Sequence, residues 1–96
     1  MESVREMIQM NDAEFLSKAD SIVKKYALDH LDKSDPDVNF SVYIVWHCFI
    51  LGNMKAMLST TLPDGMYYEC TYDKDNNCIY FDAYKKFENK AIKVGD

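Results

Sequence analysis

Few side chains in this sequence are spaced for chemistry. Glu69 and Asp82 flank the polar turn Asp73-Lys74-Asp75-Asn76-Asn77. A two-residue turn at Asp75-Asn76 pairs Lys74 with Asn77, which sets Glu69 opposite Asp82 on neighbouring antiparallel strands. Two carboxylates so placed can share a proton or hold a cation, the basis of a small acid–base enzyme. The plainer alternative is solvated strand charge, with Lys55 or the C-terminal lysines as partners. His47 and Cys48 are adjacent, but neighbours on a strand point to opposite faces and cannot form a Cys–His pair. His30 lies on a helical stripe and reads as a hydrogen-bonded boundary residue. The 73–77 turn opens like a calcium loop, yet Cys78 stands where glycine is needed and Tyr84 where glutamate is needed. With 3 glycines in the chain, neither standard phosphate-binding loop is present. These residues assign no catalytic group, no metal and no cofactor.

The elements that must position them follow from periodicity. Asn11 caps a helix over 11–31, with Glu14 placed for a capping box. Its apolar stripe is Phe15, Ala19, Ile22, Val23, Tyr26, Ala27, His30 and Leu31. Pro36 closes the following polar run. Residues 38–83 read as a four-stranded antiparallel meander, and residues 1–10 as a weakly structured lead-in. The first strand, 38–51, is apolar on both faces, as in a strand that is central or covered on both sides. A three-residue Gly52-Asn53-Met54 loop turns Trp46 and Cys48 toward the core; a two-residue loop would flip the strand. Pro63-Asp64-Gly65 pairs Leu62 with Met66 and so Leu58 with Cys70. One face of strands two to four then carries Ala56, Leu58, Thr60, Tyr68, Cys70, Tyr72, Ile79 and Phe81. The other carries Lys55, Met57, Ser59, Thr61, Tyr67, Glu69, Thr71, Asp73, Tyr80 and Asp82. Tyr84, Phe87, Ala91 and Ile92 recur at helical spacing and predict a short helix over 84–94. The expected fold is a single α+β domain, 1–96: N-terminal helix, meander sheet, C-terminal helix.

Composition narrows the function further. The 96 residues carry 11 Lys+Arg against 16 Asp+Glu, a net charge of -5, and 48% apolar residues. That excludes a disordered tail and opposes broad capture of nucleic acid. No run approaches a membrane span, and the polar start Met1-Glu2-Ser3-Val4-Arg5-Glu6 does not read as a signal peptide. The expected location is the cytoplasm. Cys48, Cys70 and Cys78 are an odd set with no zinc spacing and read as reduced thiols.

The strongest feature left unexplained is the second apolar face of the first strand. An exposed apolar face implies a homodimer or a protein partner; the plainer alternative is that the C-terminal helix or the lead-in folds over it. Tyr43, Val45, His47, Phe49, Tyr67 and Tyr80 are its expected contact residues. The alternative is a single-stranded nucleic-acid module, with tyrosines stacking bases and Lys85, Lys86, Lys90 and Lys93 meeting phosphates. Glu69 and Asp82 among those tyrosines oppose it.

The segments Lys55-Ala56-Met57-Leu58-Ser59-Thr60-Thr61, Asp64-Gly65-Met66-Tyr67-Tyr68-Glu69 and Asp82-Ala83-Tyr84-Lys85-Lys86-Phe87-Glu88-Asn89, with Tyr43-Ile44-Val45-Trp46-His47-Cys48 before them, resemble a family of small uncharacterised proteins of phages and prophages of Gram-positive bacteria. The resemblance spans roughly 11–92. It departs at His47 and Phe49, where an aromatic residue and a lysine are expected. It implies a phage-borne cytoplasmic protein acting on a host, antiviral-defence or phage component, an anti-CRISPR-like inhibitor being one such role, and carries over no catalytic residue.

Overall fold

The computed structural model describes residues 10–31 and 38–95. The expected lead-in, save Met10, and the polar run around Pro36 lie outside the described residues. Among the described residues one helix, α1 (Asp12–Asp29), is followed by β1 (Val42–Ile50), β2 (Asn53–Thr60), β3 (Met66–Asp73) and β4 (Cys78–Lys85). The strands form one antiparallel sheet in the order β1-β2-β3-β4. The arrangement is α+β in two layers.

α1 forms because its N-terminus is capped and one side is apolar. The Asn11 side-chain oxygen accepts a 2.8 Å hydrogen bond from the Glu14 amide, and Asp12 and Glu14 place negative charge in the first turn. Phe15, Ala19, Val23 and Ala27, each four residues on from the last, are buried. The two alanines let the helix lie close to the sheet. The layer beneath is Met54, Ala56 and Leu58 of β2 and Tyr68, Cys70 and Tyr72 of β3. At the far end of α1, Tyr26 meets Tyr68 edge-on at 5.5 Å and Phe81 at 5.1 Å. His30 caps the helix, stacked on Tyr26 with centroids 4.0 Å apart. Its Nδ1 lies 2.8 Å from the Tyr26 carbonyl oxygen.

The faces of β2, β3 and β4 are as the alternation predicts. Cys70 pairs with Phe81, Tyr72 with Ile79 and Glu69 with Asp82. Between β2 and β3 the expected register is two residues out, since Leu58 pairs with Tyr68 and Ala56 with Cys70. Thr61 to Gly65 form a longer loop than Pro63-Asp64-Gly65 alone. Its polar groups hold it: Thr60 Oγ1 accepts from the Leu62 amide, and Asp64 Oδ1 from the Met66 amide. A slip of two preserves every face.

β1 corrects the sequence reading in two places. Ile50 pairs with Asn53, so the β1–β2 turn is the two-residue Leu51-Gly52, with φ of 51° and 82°. Both angles are positive, as a type I′ hairpin turn requires. The register also shifts between Ile44 and Trp46, leaving Val45 as a bulge. Val42 and Ile44 therefore face α1 as expected, but past the bulge the faces exchange. His47 and Phe49 pair with Ala56 and Met54 on the helix side, and Trp46 and Cys48 pair with Met57 and Lys55 on the outer side.

The expected helix over 84–94 does not form. β4 continues through Tyr84 and Lys85, paired with Tyr67 and Met66. The Lys86 amide then donates to the Gly65 carbonyl at 2.7 Å. Residues 86–95 have no regular secondary structure. Phe87, Ile92 and Val94 are 95%, 78% and 99% exposed. A helix this short is marginal without a surface to pack on, and the ladder to β3 claims its first residues.

Candidate protein-interaction face

The site is the sheet face turned away from α1. Residues paired across strands share a face, so the ladders lay it out in rows. The first row is Tyr43, Ser59, Tyr67 and Tyr84. The second is Trp46, Met57, Glu69 and Asp82, and the third is Cys48, Lys55, Thr71 and Tyr80. Ile50 and Asn53 extend it at the turn end, and Asp73 and Cys78 at the β3–β4 end. Tyr43, Trp46, Tyr80 and Tyr84 are all exposed, and Tyr67 is half-buried among them. Among the described residues no element packs on this face.

Its charges are one ion pair and two further carboxylates, Asp82 and Asp73. Lys55 Nζ lies 3.6 Å from Glu69 Oε1, and Asp82 stands beside Glu69. The Lys86 ammonium reaches over the Tyr67 ring, 5.9 Å from its centroid. At the turn end the Asn76 side-chain amide donates to Asp73 at 2.7 Å, which holds the Asp73 carboxyl below its usual range. The Tyr80 phenol is pushed up by its hydrogen bond with Cys78 and by the charges of Cys78 and Asp73. It therefore stays neutral at physiological pH, like an ordinary tyrosine. The face is a band of aromatic, sulfur and aliphatic groups crossed by one ion pair, with the carboxylates of Asp82 and Asp73 on its β3–β4 side. Such a surface suits contact with another protein, where tyrosine and tryptophan act as anchors.

Of the residues expected to form this face, Tyr43, Tyr67 and Tyr80 are on it. His47 and Phe49 are not: they lie on the helix side of β1, rings 4.9 Å apart, and both are exposed. Val45 is the bulge residue and is exposed. Trp46, Cys48 and Tyr84 belong to the face and were not expected there. The signal for Trp46 and Cys48 was Gly52 itself, which suits a two-residue hairpin turn as well as a longer one.

The lysine cluster is dispersed. Lys85 ends β4, Lys86 sits over Tyr67, Lys90 pairs with Glu88 at 3.3 Å, and Lys93 lies in the exposed segment after β4. Glu69 and Asp82 do face each other, but on an open sheet. A cleft of about 430 Å³ lies elsewhere, between Met10, Asp12 and the β1–β2 turn. Among the described residues no three His, Cys, Asp or Glu side chains converge as metal ligands. No helix there is long and apolar enough to cross a membrane.

The chain belongs to the DUF6275 family, a family of unknown function, whose pattern it matches over residues 16–94. That stretch includes most of α1 and the whole sheet. No curated protein and no solved structure matches the chain.

Proposed function

We propose that this chain is a non-enzymatic interaction protein that binds another protein through the outer face of its sheet. The partner we propose, on the phage and prophage resemblance, is a host or antiviral-defence protein. The supporting observation is the face itself: five aromatic residues on a four-stranded sheet face that no described element covers, with one ion pair and the carboxylates of Asp73 and Asp82 among them. Exposed apolar area of this extent marks an association surface. Nucleic-acid binding through the same tyrosines is opposed by Glu69, Asp73 and Asp82, which would repel phosphates. An enzyme built on Glu69 and Asp82 would need a concave site around them, and the sheet there is open.

The test is capture from a lysate of the natural host, treated with nuclease, by the parent chain and by a Tyr67→Glu, Tyr80→Glu variant. The expected result is one stoichiometric protein retained by the parent and lost from the folded variant. Recovery instead of nucleic acid that dissociates at raised salt would favour the stacking alternative.

A further inference from the structure

We propose that β1 is completed by β1 of a second copy. The two strands pair antiparallel about a two-fold axis at Cys48, so that two four-stranded sheets become one of eight strands. The proposal concerns the sheet edge and stands independently of what binds the outer face.

The first argument is a conflict between composition and position. Residues 38–54 contain no charged side chain, and β1 has apolar or aromatic groups on both faces. That is the composition of a central strand. The fold places β1 at the edge, with every residue from Tyr43 to Ile50 exposed. Edge strands are ordinarily protected by lysine, proline, short length or inward charge. β1 runs for 9 residues with none of these; its one protective device is the Val45 bulge, which leaves the regular segment Trp46 to Ile50 open. The opposite edge, β4, carries Asp82 and Lys85 and runs into Lys86. Of the two edges, β1 is the one built to be covered.

The second argument is register. The bulge divides β1 into Val42 to Ile44 and the regular segment Trp46 to Ile50. A two-fold pairing centred on Cys48 uses that whole segment. Trp46 then meets Ile50 of the second copy on the outer face, and His47 meets Phe49 of the second copy on the helix side. Centring on Trp46 or His47 would pair residues across the bulge that point to opposite faces. The Cys48 register also brings Val45 opposite Leu51 of the second copy. Leu51 is 87% exposed and sits at φ 51°, a conformation strained for a bulky side chain that asparagine or glycine would adopt readily. A strained, exposed leucine gains a contact in this arrangement.

The third argument is area. The seven large apolar side chains of Tyr43 to Leu51 are between 39% and 87% exposed. At about 200 Å² for each full side chain, the strip exposes roughly 700 Å² per copy, a ceiling on what pairing can cover and of the order of the ~800 Å² per partner of a stable interface. The strip is uncharged, so a second copy fits it without a complementary charge.

The test is made on the full chain. Mass is measured by light scattering over a range of concentration and salt, and disulfide formation is followed under mild oxidation in a Cys78→Ser background. Directly opposed residues of an antiparallel pair lie about 4.5–5.5 Å apart at Cα, within disulfide range. The expected results are a dimer that raised salt preserves or strengthens, since each copy carries -5, and rapid Cys48–Cys48 crosslinking. Trp46→Lys with Ile50→Lys should weaken the dimer by about 30-fold or more. Tyr67→Glu with Tyr80→Glu should leave it intact, so failure of the outer-face reading is scored separately. The crosslink is read without changing any β1 residue and does not depend on the lysine variant folding. A monomer at all concentrations overturns the proposal. So does a dimer that does not crosslink through Cys48, or one abolished by Phe87→Asp, Ile92→Asp and Val94→Asp, which would assign association to the C-terminal segment.

Discussion

Which residues of β1 reach the outer face depends on a single extra residue, and deleting it tests the register directly. Ile44 pairs with Leu58 and Trp46 with Met57, which are consecutive on β2. Removing Val45 therefore closes the bulge without moving any other pair. The loss is one valine side chain that is 44% exposed, worth about 1 kcal/mol of burial. It is offset in part by a regular ladder. Deleting Met57 is the contrast, because β2 has no spare residue. Leu58 and Thr60 would rotate to the outer face and take the fully buried Leu58 out of the core. Loss of a buried leucine alone costs about 2–5 kcal/mol, a large share of the ~5–15 kcal/mol that holds a domain together. Urea unfolding followed by circular dichroism and by the fluorescence of Trp46 reads both. The Val45 deletion is expected to fold within about 1 kcal/mol of the parent, and the Met57 deletion to be unfolded or nearly so. Comparable losses from the two deletions would refute the bulge and, with it, the placement of Trp46 and Cys48.

Other expectations follow from the same packing. Leu51→Asn gives the turn an Asn-Gly pair suited to its positive φ values and should raise monomer stability by about 0.5–1 kcal/mol in urea unfolding. Phe15→Ala empties the fully buried contact between α1 and the sheet and should cost about 3–5 kcal/mol by the same assay. Burial, with the charges of Asp82 and Glu69 adding, pushes the Cys70 thiol up to about 11. Its protonated form is thus favoured in the folded state, so stability is full below the unfolded thiol's ordinary range and falls as pH rises from about 9 to 11. Cys70→Ala should shrink that alkaline loss by about 1 kcal/mol when unfolding is compared at pH 8 and pH 10.5.

The parts of the fold that could be read from sequence are those where alternation had a polar side to contrast with. Tyr68, Cys70 and Tyr72 alternate with Tyr67, Glu69, Thr71 and Asp73, and that contrast pins β3 and its neighbours. The turn after Asp73 then places Glu69 opposite Asp82 without ambiguity. β1 offers no such contrast. Its two faces are chemically alike, so neither the Val45 bulge nor the exchange of Trp46 with His47 leaves a mark on the pattern. Only the turn length could decide it, and Leu51 disguises a type I′ turn by standing where asparagine or glycine is usual. The C-terminal reading failed differently. Tyr84, Phe87, Ala91 and Ile92 have helical spacing, but spacing becomes structure only where a surface receives the stripe. α1 already occupies the inner face, and Tyr84 is drawn into β4 by Tyr67.

Residue-resolved hydrogen exchange across β1 tests most directly whether this strand is an edge or an interior strand in solution. Alternate amides of Trp46 to Ile50 point away from β2. If β1 pairs with a second copy, those amides exchange as slowly as the amides of β2, and protection falls on dilution to the monomer. Exchange at the rate of open chain at every concentration, with the β2-facing amides still protected, would leave β1 a bare edge and contradict the account.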